Sequence, residues 1–545
     1  MTLGFKKQVF WQTSLAVSSS SSITTQSLKE TIMEQRKENV VLFPFMAQGH
    51  IRPFLALAYQ IVQSKNYTVT FINTSLNIKK LQPSLPSNSS IRLLEIPFFS
   101  SDHGLPPDAE NTDAFPQFMG QLIEASHSFK PSFKTLISNL IEEQNGQRPL
   151  CIIADMFFSW TADVAHEFGV FNAIFNAGGG YGMGVFHNLW LNLPHLKTDS
   201  NEFPLPGFPD SCRIRINQMP EHLRFSKPDD SWIKFMHRVF DEWLESDAFL
   251  FNTVEEIDQI GLTYFRQQMN RPVWPIGPVK LTLGSKAGSG KDSGITWEIC
   301  KNWLDSKPYG SVLYISFGSQ STISLSQMME LAKALEASGK DFIWVIRPPL
   351  EFDINSEFNA EEWLPKGFEQ RVGVENKGLL VHNWAPQVEI LSHKSLGAFL
   401  SHCGWNSVLD SLSHGVPILA WPIMAEQHFN AKKLEEEMGV CVEVANGASS
   451  EVGHEDIVAK IELVMNETEK GKDMTRKAGE VMDIIKNAKK DEDGLTGTSV
   501  KALMNSSMPQ FYGERRRKPP RRRVISNRMY QNNSRTTNYS TILLP

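Results

Sequence analysis

No run of eighteen apolar residues occurs in this 545-residue chain, so no segment has the length of a membrane-spanning helix. Cysteine is scarce. Cys151, Cys212, Cys300, Cys403 and Cys441 are odd in number and include no CxxC pair, which argues against a disulfide framework or a zinc ribbon. Such usage fits a reducing compartment, and a cytoplasmic location is the expectation. Glycine signatures for nucleotides are missing too. No GxGxxG follows the first apolar run, which sets aside a nicotinamide-dependent dehydrogenase. GSGKD imitates a phosphate loop, but Ser285 stands where the first glycine belongs and Asp292 where Ser or Thr belongs. Net positive charge is absent from the body. The net charge is −6, yet residues 514–545 hold nine Lys/Arg against one acid, leaving the rest near −14. An acidic body argues against nucleic acid as the main partner.

What is present is ordinary for a globular protein, 41% hydrophobic and 21% charged, and long enough for two to four domains. NVVLFPF reads as a buried strand, AQGHIRP as a turn and FLALAYQIVQS as an amphipathic helix. TVTFINT, CIIAD and AIFNAGGG continue the alternation. After a Gly/Ser/Lys stretch it restarts with SVLYISFGS, SLSQMMELAKALEASG, DFIWVIRPP, GLLVHNW, LGAFLSH, VPILAWP and VCVEVA. Strand–helix alternation in two halves predicts an α/β fold of two Rossmann-like lobes facing across a cleft. Ligands of such sheets lie at the carboxyl ends of strands, where His50, Asp155, Ser319, Trp384 and His402 all fall. The Pro-rich stretch 192–231 reads as pocket-forming loops and not as core.

SHCGWNSVLDSLSHGVP places His402 and small polar residues at the mouth of a helix. The first N–H groups of a helix lack partners inside it and carry partial positive charge, so the physical reading is an anion site. A phosphate would meet Asn406 and Ser407, with His402 adding a donor from the preceding strand. The bland alternative is a strand-to-helix turn with a serine cap.

The segment 384–427, WAPQVEILSHKSLGAFLSHCGWNSVLDSLSHGVPILAWPIMAEQ, resembles the signature box of plant family-one UDP-sugar-dependent glycosyltransferases. FPFMAQGHIRP, CIIAD, FNTVEEID, PIGPV, YISFGS and FIWVIRPP extend the resemblance over about residues 39–504. It implies the GT-B architecture and an inverting transfer, most simply of glucose from UDP-glucose to a hydroxyl of a small hydrophobic plant metabolite such as a flavonoid, another phenolic or a terpenoid. Another UDP-sugar, or a catalytically silent UDP-sugar-binding protein, is the alternative. By resemblance His50 is the general base and Asp155 the carboxylate orienting it. Trp384 stacks on uracil, the Ala385 backbone reads its edge, and Gln387 helps bind the nucleoside. His402, Asn406 and Ser407 contact the diphosphate, and Ser319 is another donor near the nucleotide. Asp410 replaces the usual glutamate at the ribose, and Trp405, Glu426 and Gln427 meet the sugar. The resemblance implies no metal and no cofactor beyond the UDP-sugar co-substrate.

Acceptor loops are expected to include Phe45, Met46, Phe98, Phe118, Phe186 and Trp190, an aromatic lining suited to a flat aglycone. By the same resemblance Asn176 stands where many members of the family carry a threonine near the sugar, and the run Ala177 to Gly180 suggests a bare wall beside it. His393 and His414 read as packing or surface residues, and Asp491-Glu492-Asp493 as a solvated loop and not a metal motif. The expected organisation is an extraneous extension (1–33), an acceptor-binding lobe (34–279), a linker (280–296) and a UDP-sugar lobe (297–470). C-terminal helices (471–508), the last bracing the first lobe, and a basic disordered tail (509–545) complete it. A monomer without nucleic-acid or integral membrane association is expected.

Overall fold

The computed structural model describes residues 37–63, 67–86, 88–112, 118–279, 294–447, 451–492 and 495–506. The expectations for residues 1–33 and 509–545, and nearly all of the predicted linker, fall outside these. The first sheet contains β1 (Glu38–Phe43), β2 (Tyr67–Asn73), β3 (Ile91–Glu95), β4 (Cys151–Asp155), β5 (Phe171–Asn176), β6 (Ala248–Phe251) and β7 (Val273–Pro275). Their order is β3-β2-β1-β4-β5-β6-β7, every pair parallel. The second contains β8 (Val312–Ser316), β9 (Asp341–Ile346), β10 (Gly378–His382), β11 (Leu396–Ser401), β12 (Ile418–Ala420) and β13 (Cys441–Glu443). Its order, β10-β9-β8-β11-β12-β13, repeats the first six positions of the other sheet and is again parallel.

Parallel strands are covered on both faces, which is why their sequences are nearly unbroken apolar runs. In β1, Val41 and Phe43 enter one core cluster while Val40 and Leu42 enter the other. Leu313 and Ile315 of β8 likewise part from Val312 and Tyr314. Phe43 is ringed by Phe129, Phe133, Phe158 and Trp160. Truncating such a side chain to alanine costs about 3–5 kcal/mol.

Two readings from sequence change here. The predicted turn AQGHIRP is the start of helix α1 (Gln48–Gln63), which carries Pro53 inside it. The stretch 192–231 is not merely loop, because Phe203, Leu205, Ile214, Met219 and Leu223 are buried in the first-lobe core. Their apolar residues alternate too briefly, in a three-residue hairpin and short turns, for periodicity to reveal burial.

Polar and apolar contacts join the lobes. Asp258 opens helix α3 (Gln259–Met269) and accepts from the N–H groups of Gly180 and Tyr181 at the start of helix α2 (Gly180–Asn192). The same carboxylate lies 3.9 Å from Lys433 Nζ of the second lobe, with both side chains buried. Gly261 of α3 meets α2 so closely that a Cβ there would fall 2.0 Å from the Gly180 carbonyl carbon. A Cβ on Gly179 would fall 2.8 Å from the Trp405 ring, and one on Gly182 would fall 2.1 Å from Asn430 Oδ1. Of the residues read as a bare wall, Gly179 is therefore a close lobe-to-lobe contact, and Gly178 and Gly180 pack within the first lobe. Gly294 N donates to the Trp384 carbonyl, so the chain is already seated on the second lobe when it re-enters the described residues. Helix α6 (Thr498–Ser506) returns to the first lobe, where Ala502 enters its core and Thr498 Oγ1 donates to Glu256.

Candidate active site

In each sheet the chain leaves the two central strands in opposite directions, β1 and β4 in one, β8 and β11 in the other. Crevices at such switch points take ligands. His50 lies in the first turn of α1, just beyond β1, and Asp155 ends β4. The imidazole Nδ1 donates to Asp155 Oδ2 at 2.7 Å. Asp155 is fully buried, and its Oδ1 also accepts from Phe157 N at 3.2 Å. It is thus a helix cap and a histidine partner at once. With Nδ1–H fixed on the carboxylate, Nε2 carries the lone pair. The His50 ring keeps a quarter of its surface exposed and sits 5.5 Å from the Phe45 ring and 5.9 Å from the Phe157 ring.

Burial disfavours the charged form of His50, but the charge and hydrogen bond of Asp155, with Glu426 adding to them, carry its pKa above the ordinary value. Glu426 belongs to the second lobe, immediately before helix α5 (Gln427–Lys432). Burial raises its own pKa, against the opposing pull of His50. The two groups therefore sense each other across the cleft.

The second-lobe candidates gather at the carboxyl edge of their sheet. Ser319 lies in the loop after β8, and Trp384 and Ala385 follow β10. His402 follows β11 and precedes helix α4 (Trp405–Leu412), whose first turn holds Asn406 and Ser407. His402 is buried between Gly318 and Gly404, where added Cβ atoms would fall 2.6 and 2.4 Å from its Nε2. Only glycine leaves that ring room, and Gly318 also has a φ of +83°. Burial, with Arg347 nearby, lowers the His402 pKa to about 4, so the ring is neutral in ordinary buffers. Gln387 Nε2 donates to Asp410 Oδ2 at 2.9 Å and to Ser407 Oγ at 3.3 Å.

Several side chains have partners that the sequence did not disclose. The Trp405 indole N–H donates to the Asn252 carbonyl at 2.7 Å, and its ring packs with Val254 and Ile257 of the first lobe. A sugar contact from Trp405 would therefore come from its backbone at the helix start. Asn406 Nδ2 donates to the Gly49 carbonyl at 2.9 Å, and its Oδ1 accepts from Asn252 Nδ2 at 3.4 Å. Gln427 Oε1 accepts from Ile423 N at 3.0 Å and Met424 N at 2.9 Å, which commits the oxygen to its own turn and gives the Nε2 donor the outward role. Asn176 Oδ1 accepts from Gly178 N and holds the glycine turn. His393 bonds Asp305 and His414 the Asp410 carbonyl, the packing roles expected of them.

Four contributors were missed: Phe157, Arg52, Arg347 and Asn252. The Arg52 guanidinium of α1 stands 4.8 Å from the Trp384 ring centre, near Asp410 and Glu389. Arg347, buried at the end of β9, donates from Nη2 to the carbonyl of Asn383, whose φ of +75° turns the chain into Trp384. Its signal was available, as a lone arginine closing the apolar run FIWVI. Of the expected acceptor residues, Phe45, Met46 and Trp190 are buried, while Phe98, Phe118 and Phe186 are partly exposed. Among the described residues no cluster of His, Cys, Asp or Glu has the form of a metal site, and no helix is long and apolar enough to cross a membrane.

Known proteins share this fold. The family model described as UDP-glucoronosyl and UDP-glucosyl transferase matches residues 284–477. UDP-glycosyltransferase 92A1 of Arabidopsis thaliana is 47% identical over 475 residues, 86% of this chain and 96% of that protein. Crocetin glucosyltransferase 3 of Crocus sativus is 39% identical, over 86% and 98% of the two chains. Among solved structures, Glycyrrhiza uralensis UGT73P12, complexed with glycyrrhetinic acid 3-O-monoglucuronide, superimposes with a TM-score of 0.73. It is 28% identical, over 88% of this chain and 97% of that one. Phytolacca americana UGT2, complexed with UDP-2fluoro-glucose and pterostilbene, gives 0.69 at 25% identity, over 87% and 100%. The two parallel lobes therefore have the GT-B fold, and the chain belongs to the plant UDP-glycosyltransferases of the UDP-glucosyl transferase family.

Proposed function

We propose that the protein transfers glucose from UDP-glucose to a hydroxyl of a small apolar acceptor, with inversion at the sugar carbon. The observation that carries this reading is the 2.7 Å His50–Asp155 pair, which faces a phosphate-type helix mouth of the opposite lobe. An alcohol or phenol is a poor nucleophile until a base takes its proton, and a carboxylate-held imidazole serves that purpose. His50 Nε2 accepts the acceptor proton as its oxygen bonds to C1. The C1–O bond to UDP breaks on the opposite side. Charge growing on the diphosphate is met by the first N–H groups of α4, by Ser407 and by the neutral N–H of His402. Trp384 and Ala385 hold uracil, Gln387 and Asp410 the ribose, and Ser319 a phosphate. Glu426 and Gln427 bind sugar hydroxyls.

No step of this scheme calls for a metal, and transfer is expected to survive chelation. The aromatic neighbours of His50 favour a flat phenolic or terpenoid acceptor. The names of the relatives agree, since one is a crocetin glucosyltransferase and another, 34% identical, a scopoletin glucosyltransferase of Nicotiana tabacum. All five cysteines are free and buried, which supports a cytoplasmic, reducing location, and a monomer is the expected state.

Incubation with labelled UDP-glucose and an aglycone panel tests the activity, and His50→Ala tests the mechanism. Transfer should fall by about a hundredfold or more while UDP binding stays near the wild-type value. Wild-type turnover in that variant would overturn the assignment of the base.

A further inference from the structure

The backbone beside His50 is held from the other lobe. Pro53 lies inside α1 and has no N–H, so the carbonyl four residues earlier, Gly49, lacks its helical donor. Asn406 Nδ2 of the second lobe supplies one at 2.9 Å. Because that carbonyl can only accept, the Asn406 amide must turn its nitrogen toward Gly49 and its oxygen the other way. The oxygen meets Asn252 Nδ2 at 3.4 Å. Asn252 is itself fixed, since its Oδ1 accepts from Val279 N at 2.9 Å and its carbonyl accepts from the Trp405 indole at 2.7 Å. The chain of contacts runs from the loop after β6, through the first turn of α4, to the peptide that carries the proposed base.

We infer that Pro53 and Asn252 are positioning residues for transfer: together they direct the Asn406 amide onto the Gly49 carbonyl and so fix His50 against the donor site. Pro53 makes the acceptor available and Asn252 sets the orientation of the amide. Neither touches substrate. The inference rests on the reading of His50 as the base, and it assigns Asn406 a task besides any phosphate contact. A base displaced by a fraction of an ångström loses rate without loss of donor affinity, because reaction needs a near-attack geometry that binding does not.

Asn252→Asp is the sharpest test. It preserves size and the acceptor for Val279 N but removes the donor. The introduced carboxylate would draw the Asn406 nitrogen to itself, turning the amide oxygen against the Gly49 carbonyl and breaking the contact. The measurements are UDP affinity by calorimetry, kcat at saturating UDP-glucose and acceptor, and the melting temperature. The expected result is a kcat lowered about three- to tenfold, with UDP affinity within about twofold of wild type. Pro53→Ala, which restores a helical donor to Gly49, should also lower kcat while the melting temperature holds or rises. A merely structural role for Pro53 predicts no rate loss from a helix so improved. Unchanged kcat in both variants overturns the inference, as does a loss of Asn252→Asp activity carried by weakened UDP binding. Should Asn252→Asp fail to fold, the Pro53→Ala result decides alone. An inactive wild-type protein would instead count against the proposed function.

Discussion

The two lobes repeat one strand order but put different chemistry at the same place in it. At the switch point of the first sheet stands a histidine whose pKa is raised by a buried carboxylate. At the switch point of the second stands a histidine whose pKa is lowered to about 4, by burial and a nearby arginine. One imidazole is tuned to take a proton. The other stays neutral and keeps one N–H to give. The same side chain is thus pushed in opposite directions, upward by the charge and hydrogen bond of Asp155 in one lobe and downward by burial, with Arg347 nearby, in the other.

Removing the carboxylate should break this contrast most severely. Asp155→Asn leaves burial to dominate His50, so the acid limb of kcat/KM, expected above pH 6.5 in the wild type, moves downward. The plateau should fall about ten- to a hundredfold as the tautomer is no longer held. A pH–rate profile of both proteins measures this, and an acid limb that does not move would assign it to another group.

Within the first lobe, where helices α2 and α3 meet, the expected loss is of stability. Gly261→Ala forces a Cβ toward the Gly180 backbone, so about 1–3 kcal/mol should be lost in denaturant unfolding. Gly479, where a Cβ would meet nothing within 4 Å, is the control that should tolerate alanine.

At the nucleoside end the expected change is smaller and of the opposite sign. The Arg52 guanidinium, 4.8 Å from the Trp384 ring centre, leaves no space for a base on that face. Arg52→Ala should therefore tighten UDP binding about two- to fivefold by calorimetry, since a cation–π contact no longer has to be broken. Weaker binding would make Arg52 a ligand of the nucleotide instead.

An effect of similar size concerns the sugar. The Gln427 oxygen is committed to its own turn, so under the proposed sugar contact only the Nε2 donor is left to tell equatorial from axial hydroxyls. The preference for UDP-glucose over UDP-galactose should be about two- to tenfold and should shrink in Gln427→Glu. Equal kcat/KM for both donors in the wild type would remove Gln427 from donor choice.

The sequence disclosed the fold because parallel strands covered on both faces are written as apolar runs, and NVVLF, CIIAD and VLYIS each became a central strand. It disclosed the strand-end positions of His50, Asp155 and His402 for the same reason. What it hid were contacts between distant segments. Nothing in HCGWN says that the tryptophan N–H and the asparagine amide are engaged by the opposite lobe, because Asn252 and Gly49 are more than 150 residues away. AQGHIRP read as a turn because proline usually ends a helix, whereas here a donor from another lobe offsets the N–H that Pro53 lacks. The glycines at 178–180 looked like a bare wall because absence of side chains does not reveal what fills the space.

The central claim is that the base and the departing diphosphate belong to opposite lobes and act on opposite sides of the sugar carbon. The anomeric configuration of the glucoside formed from UDP-α-glucose, read by proton NMR before any hydrolysis, tests it most directly. The account predicts the β-glucoside alone. An α-glucoside would contradict it, because retention requires the acceptor and UDP to occupy the same side of the sugar.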